Sequence, residues 1–256
     1  MSFSHVTKLR MVMQELFHQA YRSRLIPFDP SDGLRLPKNV KGSHRSITEE
    51  ERAHILEVAQ YHPSGLWVLL ILYSGLRPGE AAALQWKDID FDKNEIHVYK
   101  AVESGTNTIK TPKTTAGIRD IPMRKELRRV LWQEHGEPFS LLFPTRKGTI
   151  RGPSGIWKLW NSFAKELDLH MGALEEDGRI LQHAIAPDLT TYCLRHTFCT
   201  DLQRAGVAIN IAKELMGHSS IAVTADIYTH RDSNVLHENI SRLDTPTTNQ
   251  VLKMGE

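Results

Sequence analysis

The sequence predicts an α+β fold, mainly helical, with one small three-stranded antiparallel sheet set into a helical domain. Three observations carry that reading. Apolar residues recur at three- and four-residue spacing along most of the chain, the period of a helix with one buried face. Only after Asp90 does the period drop to two, in EIHVYKAV, TIKTPK and IRDIPM, with SGTN and TTAG between them as turn chemistry. The helical stretches are punctuated by capping signals: Thr48 with Glu51 three residues on, and glycines at 75, 206 and 217. At 256 residues, 40% hydrophobic and 24% charged, the chain carries enough apolar material for one sizeable core and a smaller appendage.

Taken in order, residues 1–26 form one amphipathic helix, with Val6, Leu9, Val12, Leu16, Ala20 and Tyr21 inward and Lys8, Arg10, Arg22 and Arg24 outward. The proline-, glycine- and lysine-containing stretch up to residue 46 reads as a linker, so residues 1–46 make one segment. The main domain spans 47–231 and opens at the Thr48 capping box ahead of Ile55, Leu56 and Ala59. The apolar run 66–72 stops at Gly75, and Pro78 with Glu80 suits the first turn of the next helix. After the strands come helices at about 124–134 and 154–167. Trp157 and Trp160, three apart on the second of these, are expected in the core. Residues 171–188 read as a surface excursion, and 232–256 as a polar tail with one short helix.

The stretch from Leu189 to His230 carries the chemistry. Leu194, Phe198 and Leu202 mark a buried helix face, with Arg195 at its edge. A second helix over 208–216 ends at Gly217 and leaves His218 in the turn. A third, capped by Ser219 or Ser220, carries Ile221, Thr224 and Tyr228 on one face. An arginine at a stripe edge or a tyrosine near a helix end is by itself ordinary surface or core chemistry. Arg77, between two helices, suits either a structural bridge or a phosphate at a helix entrance. Lys110 and Lys113, both near the second hairpin turn, are equal candidates by chemistry. Cys193, His196 and Cys199 form C-x2-H-x2-C, but on a helix those positions step by about 300° and do not converge on a metal. No cofactor is expected. Net charge is +2 with a pI near 8.5, which permits nucleic-acid binding without demanding it. There is neither a bilayer-length apolar run nor a signal segment, so a cytoplasmic location is expected.

LRHTFCT, LMGH ten residues before a tyrosine in IYTH, and YSGLRPGE upstream together resemble the tyrosine recombinases, the phage integrase family. KTPKTTAGIRDIPM has the form expected of the family's lysine-bearing hairpin, with Lys113 at the matching place. The resemblance implies a helical catalytic domain with a small antiparallel sheet. It also implies a site-specific recombinase that cuts and rejoins DNA for the integration or excision of a phage or mobile element. Arg77 and Arg195 would clamp the phosphate, since forked donors match two non-bridging oxygens. Tyr228 would attack to give a 3′-phosphotyrosyl bond that conserves the energy for religation. Lys113 would protonate the departing 5′ oxygen, His218 would bond a phosphate oxygen, and Glu80 would support the first arginine.

One position departs from the family pattern: Tyr192 stands three residues before Arg195, where histidine is usual. A phenol there lies about 60° around the helix from Arg195 and can donate to the same phosphate, but it is a poor base near neutral pH. DNA backbone contacts are expected from Arg35, Lys38, Lys41, Lys110, Arg119 and Arg151. The expected partners are double-stranded DNA at specific attachment sites and further copies of the chain, assembled on it, with no membrane. In the family a helical DNA-gripping domain precedes the linker, and residues 1–26 resemble its last element. The chain therefore reads as a fragment of a longer recombinase or a reading frame that begins late. The contrasting reading is a truncated, catalytically weak DNA-binding remnant; a topoisomerase-like strand nicker ranks behind both.

Overall fold

The computed structural model describes residues 3–38, 45–103, 105, 107–112 and 115–228, and its contacts divide the chain into two units, Met1–Ser43 and His44–Glu256. The first unit consists of α1 (Phe3–Arg22) and the segment after it, joined where His18 Nδ1 meets Asp29 Oδ2 at 2.5 Å. The predicted inward stripe is not a single face. Leu9, Val12, Leu16 and Tyr21 are more than half exposed, whereas Val6, Met13, Phe17 and Ala20 are the more sheltered side. At 100° per residue these sets centre on directions about 60° apart, so the stripe had merged two neighbouring faces.

The second unit begins slightly earlier than residue 47, because the residues just before it are already tied into it. Arg45 bonds both oxygens of Glu51 at 2.6 Å and reaches Asp188 at 3.0 Å, the Ser46 hydroxyl lies 2.8 Å from that of Thr200, and the Ile47 N–H donates to Thr197 at 2.9 Å. α2 (Glu49–Val58) starts at the Thr48–Glu51 capping box. α3 (Gly65–Ser74) follows as the centre of the core. Eight of its ten residues are buried, because GLWVLLILYS has no polar face to turn outward. It packs against α4 (Pro78–Ala83), α5 (Lys125–Gln133) and α7 (Thr191–Arg204).

The sheet has the expected strand number but not the expected strands. Its antiparallel order is β1 (Ile89–Asp90), β2 (Glu95–Val98) and then a strand over Arg119–Pro122. Between them in sequence, β3 (Ala101–Val102) and β4 (Ile109–Lys110) pair separately; the Arg119–Pro122 strand is β5. EIHVYKAV is thus broken at Tyr99 and Lys100. Both reach down to the buried Asp88, at 2.7 Å each, and leave the ladder to do so. The excursion after α6 (Pro153–His170) contains a hairpin, β6 (Leu174–Glu176) with β7 (Arg179–Gln182), turned on Asp177 and Gly178 at positive φ. α8 (Ile209–Met216) and α9 (Ile221–Tyr228) complete the described chain. On α6 the inward side is Leu159, Phe163 and Leu167. Trp160 packs beside it, but Trp157 is 63% exposed rather than in the core, since it lies half a turn from Leu159. Among the described residues, no helix is long and apolar enough to cross a membrane.

Candidate catalytic site

The site is assembled around the C-terminal end of α8. A helix ends with carbonyls that find no partner within it. Here the Gly217 and His218 N–H groups turn back onto Glu214 and Lys213, leaving three consecutive carbonyls. Each accepts from a different arginine. Leu215 O takes Arg119 Nε at 2.8 Å, Met216 O takes Arg195 Nη2, and Gly217 O takes Arg77 Nη2 at 2.9 Å. Three cations at a helix C-terminus are also the favourable sign for its dipole.

Local sequence explains how each arginine arrives. Gly75 takes the left-handed conformation (φ 63°) that ends α3, and its carbonyl accepts from Arg195 Nη1. Two residues on, Arg77 is the N-cap of α4, and Glu80 at the third helical position receives both the Arg77 N–H at 2.8 Å and Arg77 Nη1 at 2.7 Å. Arg195 rises from the first turns of α7 on its buried side. Arg119 opens β5, and its Nη2 meets Glu80 at 2.9 Å. Glu80 therefore lies between Arg77 and Arg119. Burial pushes its carboxyl up, but bonding to Arg119 and the charge of both guanidiniums outweigh this and hold it at about 2. Burial, then the neighbouring cations, draw Arg195 down to about 9, still charged at neutral pH.

His218 follows directly. Its Nδ1 lies 2.9 Å from the hydroxyl of the fully buried Thr224 on α9. Burial, followed by the charges of Arg195, Arg77 and Arg119, lowers it to about 4, and it is neutral at pH 7. Gly217 is the pivot. It has φ 63°, and a Cβ there would stand 2.6 Å from Arg119 Nη1.

Of the predicted site residues, the structure brings together Arg77, Glu80, Arg195 and His218. Tyr192, 48% exposed on the first turn of α7, lines with Arg77, Gly79, Trp157 and Trp160 an adjoining cavity of about 660 Å³. Tyr228 ends α9, ten residues after His218. Its side chain lies outside the described residues, as do Lys113 and Lys41. Arg119, expected on the DNA-facing surface, is instead buried, its side chain 2% exposed and saturated by Glu80 and Leu215. The signal was present: Arg119, Ile121 and Met123 share parity along an alternating stretch, so the arginine shares the inward face. Lys110 is exposed and pairs with Glu103 at 2.6 Å. Arg151 bonds the Phe143 carbonyl at 3.1 Å, and Arg35 and Lys38 are exposed in the first unit.

A sequence model of the phage integrase family matches residues 45–234, which takes in the whole arginine cluster. The chain belongs to the phage integrase family. Among its relatives, a tyrosine recombinase XerC-like protein of Caldanaerobacter subterraneus is 29% identical, over 88% of this chain and 62% of its own length. The transposase of transposon Tn916 from Enterococcus faecalis is 28% identical, over 83% and 53%. The chain thus spans little more than half the length of these relatives. Its fold is similar to that of the Tn1549 transposon integrase solved with circular intermediate DNA, with a TM-score of 0.71 and 22% identity over 95% of this chain and 81% of that one.

Proposed function

We propose that this chain is a site-specific DNA recombinase that breaks and rejoins strands through a 3′-phosphotyrosyl bond to Tyr228. The observation that carries the reading is the convergence of Arg77, Arg195 and neutral His218 on one helix end, beside α9, whose last residue is Tyr228. Three guanidiniums against the one Glu80 carboxylate leave an excess of positive charge. A scissile phosphate gains charge on its non-bridging oxygens in the transition state, and fixed donors held in a partly dry site stabilise that gain. The carbonyl bonds of Arg77 and Arg195 use in-plane N–H groups at the edge of each guanidinium and fix the orientation of its plane.

A neutral His218 that accepts the Thr224 hydroxyl proton at Nδ1 carries its own proton on Nε2, a donor for a phosphate oxygen. A tyrosine phenol ionises at ~10 in water, and cations at the scissile phosphate would favour phenolate character as attack by Tyr228 proceeds. As Tyr228 attacks, its phenolic proton passes to solvent and its oxygen bonds to phosphorus; the bond to the 5′ oxygen breaks, and Lys113 supplies the proton that leaves a free 5′-hydroxyl. Tyr192, where the family pattern has histidine, donates its phenolic hydrogen to the same phosphate. Arg35, Lys38, Lys41, Lys110 and Arg151 supply backbone contacts that position the duplex without reading its sequence. The chain acts on DNA in the cytosol, as an assembly of several copies on double-stranded attachment sites. The relatives named as a transposon transposase and an XerC-like tyrosine recombinase support a role in the integration or excision of a mobile element.

The test is recombination between two copies of the element's joined-end sequence on a supercoiled plasmid. Wild-type protein is expected to produce deletion circles, and Tyr228→Phe none. DNA binding without product from the wild type would favour the DNA-binding remnant instead.

A further inference from the structure

On the face where α2 meets α6, away from the arginine cluster, three potential metal ligands converge. His54 and Glu57 are three residues apart on α2 and so share a face, and His170 is the last residue of α6, which packs against α2. His54 Nδ1 and His170 Nδ1 are 3.1 Å apart, with the rings edge to face at 73°. Two nitrogens at that spacing, each at the usual zinc distance of about 2.0–2.1 Å, subtend about 100° at a common ion, as two ligands of one metal do. One donor atom from each of the three residues lies within 4.8 Å of the others.

We propose that His54, Glu57 and His170 bind a divalent late first-row transition-metal ion, of which Zn²⁺ is the best match. Glu57 Oε2 stands 3.3 Å from His170 Nε2. A carboxylate there holds the Nε2 proton and so presents the Nδ1 lone pair toward His54, the arrangement that supports histidine ligands in metal sites. Glu57 is also exposed enough to swing round and ligate directly. In the metal-free form, neutral histidines share one proton between the two Nδ1 atoms. The ion takes the place of that proton, which moves through solvent to Nε2 of His54, so both ligands stay neutral imidazoles, and water completes the coordination. Two imidazoles and a carboxylate suit zinc better than magnesium or calcium. The two other groupings of this kind among the described residues, around His18 and around His97, offer one imidazole and two carboxylates each. An ion here would join the start of the main domain to the end of α6 and stabilise the folded form by mass action.

The experiment is a calorimetric titration of metal-stripped protein with ZnCl₂ at neutral pH, alongside His54→Gln, His170→Gln and Glu57→Gln. All three variants are expected to keep the parent's melting temperature in EDTA, because the side chains are at least partly exposed. The parent should show a site of unit stoichiometry and a zinc-dependent rise in melting temperature. Either histidine substitution should remove both, and Glu57→Gln should weaken the site about tenfold or more. Substitution of Co²⁺ in the parent reads the coordination independently of any variant, through the intense visible absorption of a low-symmetry nitrogen and oxygen site. Parent and histidine variants with superimposable zinc titrations, or a cobalt spectrum no different from that of the hydrated ion, would overturn the proposal.

Discussion

At the scale of the residue, the site depends on Gly217 and on the balance of charge around Glu80. Gly217→Ala forces a left-handed backbone onto a residue with a Cβ and drives that Cβ toward Arg119. A loss of about 1–3 kcal/mol in urea unfolding is expected. Arg119→Ala strips a buried carboxylate of its more buried partner, and about 3–5 kcal/mol should be lost. The pH dependence has two limbs. His218 is held at about 4 against an ordinary 6.5, so as pH falls through that window the unfolded chain takes up a proton that the folded chain refuses, and stability declines. Glu80, held at about 2 against 4.5, adds stability above pH 4.5 that disappears as pH falls toward 2. Urea midpoints followed from pH 7 to pH 3 should show both limbs, and His218→Gln should flatten only the upper one. The sequence pointed to Arg77, Arg195 and His218 through the order of motifs it shares with the phage integrase family, since by its position alone Arg77 suited a structural bridge equally well. It could not show that one helix end would gather three arginines, since those contacts join residues 77, 119 and 195 to 215–217 through tertiary packing alone.

At the scale of the element, capping chemistry was the most legible signal, because it is local. The Thr48–Glu51 box and the glycine stops at 75 and 217 stand where the spacing put them. Strand identity was less legible. Alternation fixes which face a residue takes but not which strand it pairs with, so TIKTPK was grouped with a sheet from which the Asp88 contacts of Tyr99 and Lys100 separate it. The β6–β7 hairpin carried its own signal in Asp177-Gly178, a pair suited to a two-residue turn with positive φ. Trp157 shows how apolar spacing misleads on a helix with a wide stripe: Leu159, Phe163 and Leu167 already fill the core side. Its replacement by alanine should change stability by no more than about 0.5 kcal/mol, whereas Phe163→Ala should cost about 3–5 kcal/mol in the same urea assay.

At the scale of the whole molecule, the arginine cluster and the family match fall within the second unit, so the chemistry belongs to one domain built around α3. Composition alone permitted many functions for a chain of net charge +2. The motifs narrowed them because several occurred in a fixed order. Covalent joining of Tyr228 to DNA is tested most directly by trapping on a nicked duplex that carries the element's end sequence. Cleavage of such a substrate releases a short oligonucleotide and cannot reverse. Wild-type protein should give a slowly migrating band on a denaturing gel, with phosphotyrosine mapped to Tyr228 by mass spectrometry, and Tyr228→Phe should give none. Wild-type protein that shifts the intact duplex in a native gel yet forms no adduct, or an adduct that persists in Tyr228→Phe, would contradict the account.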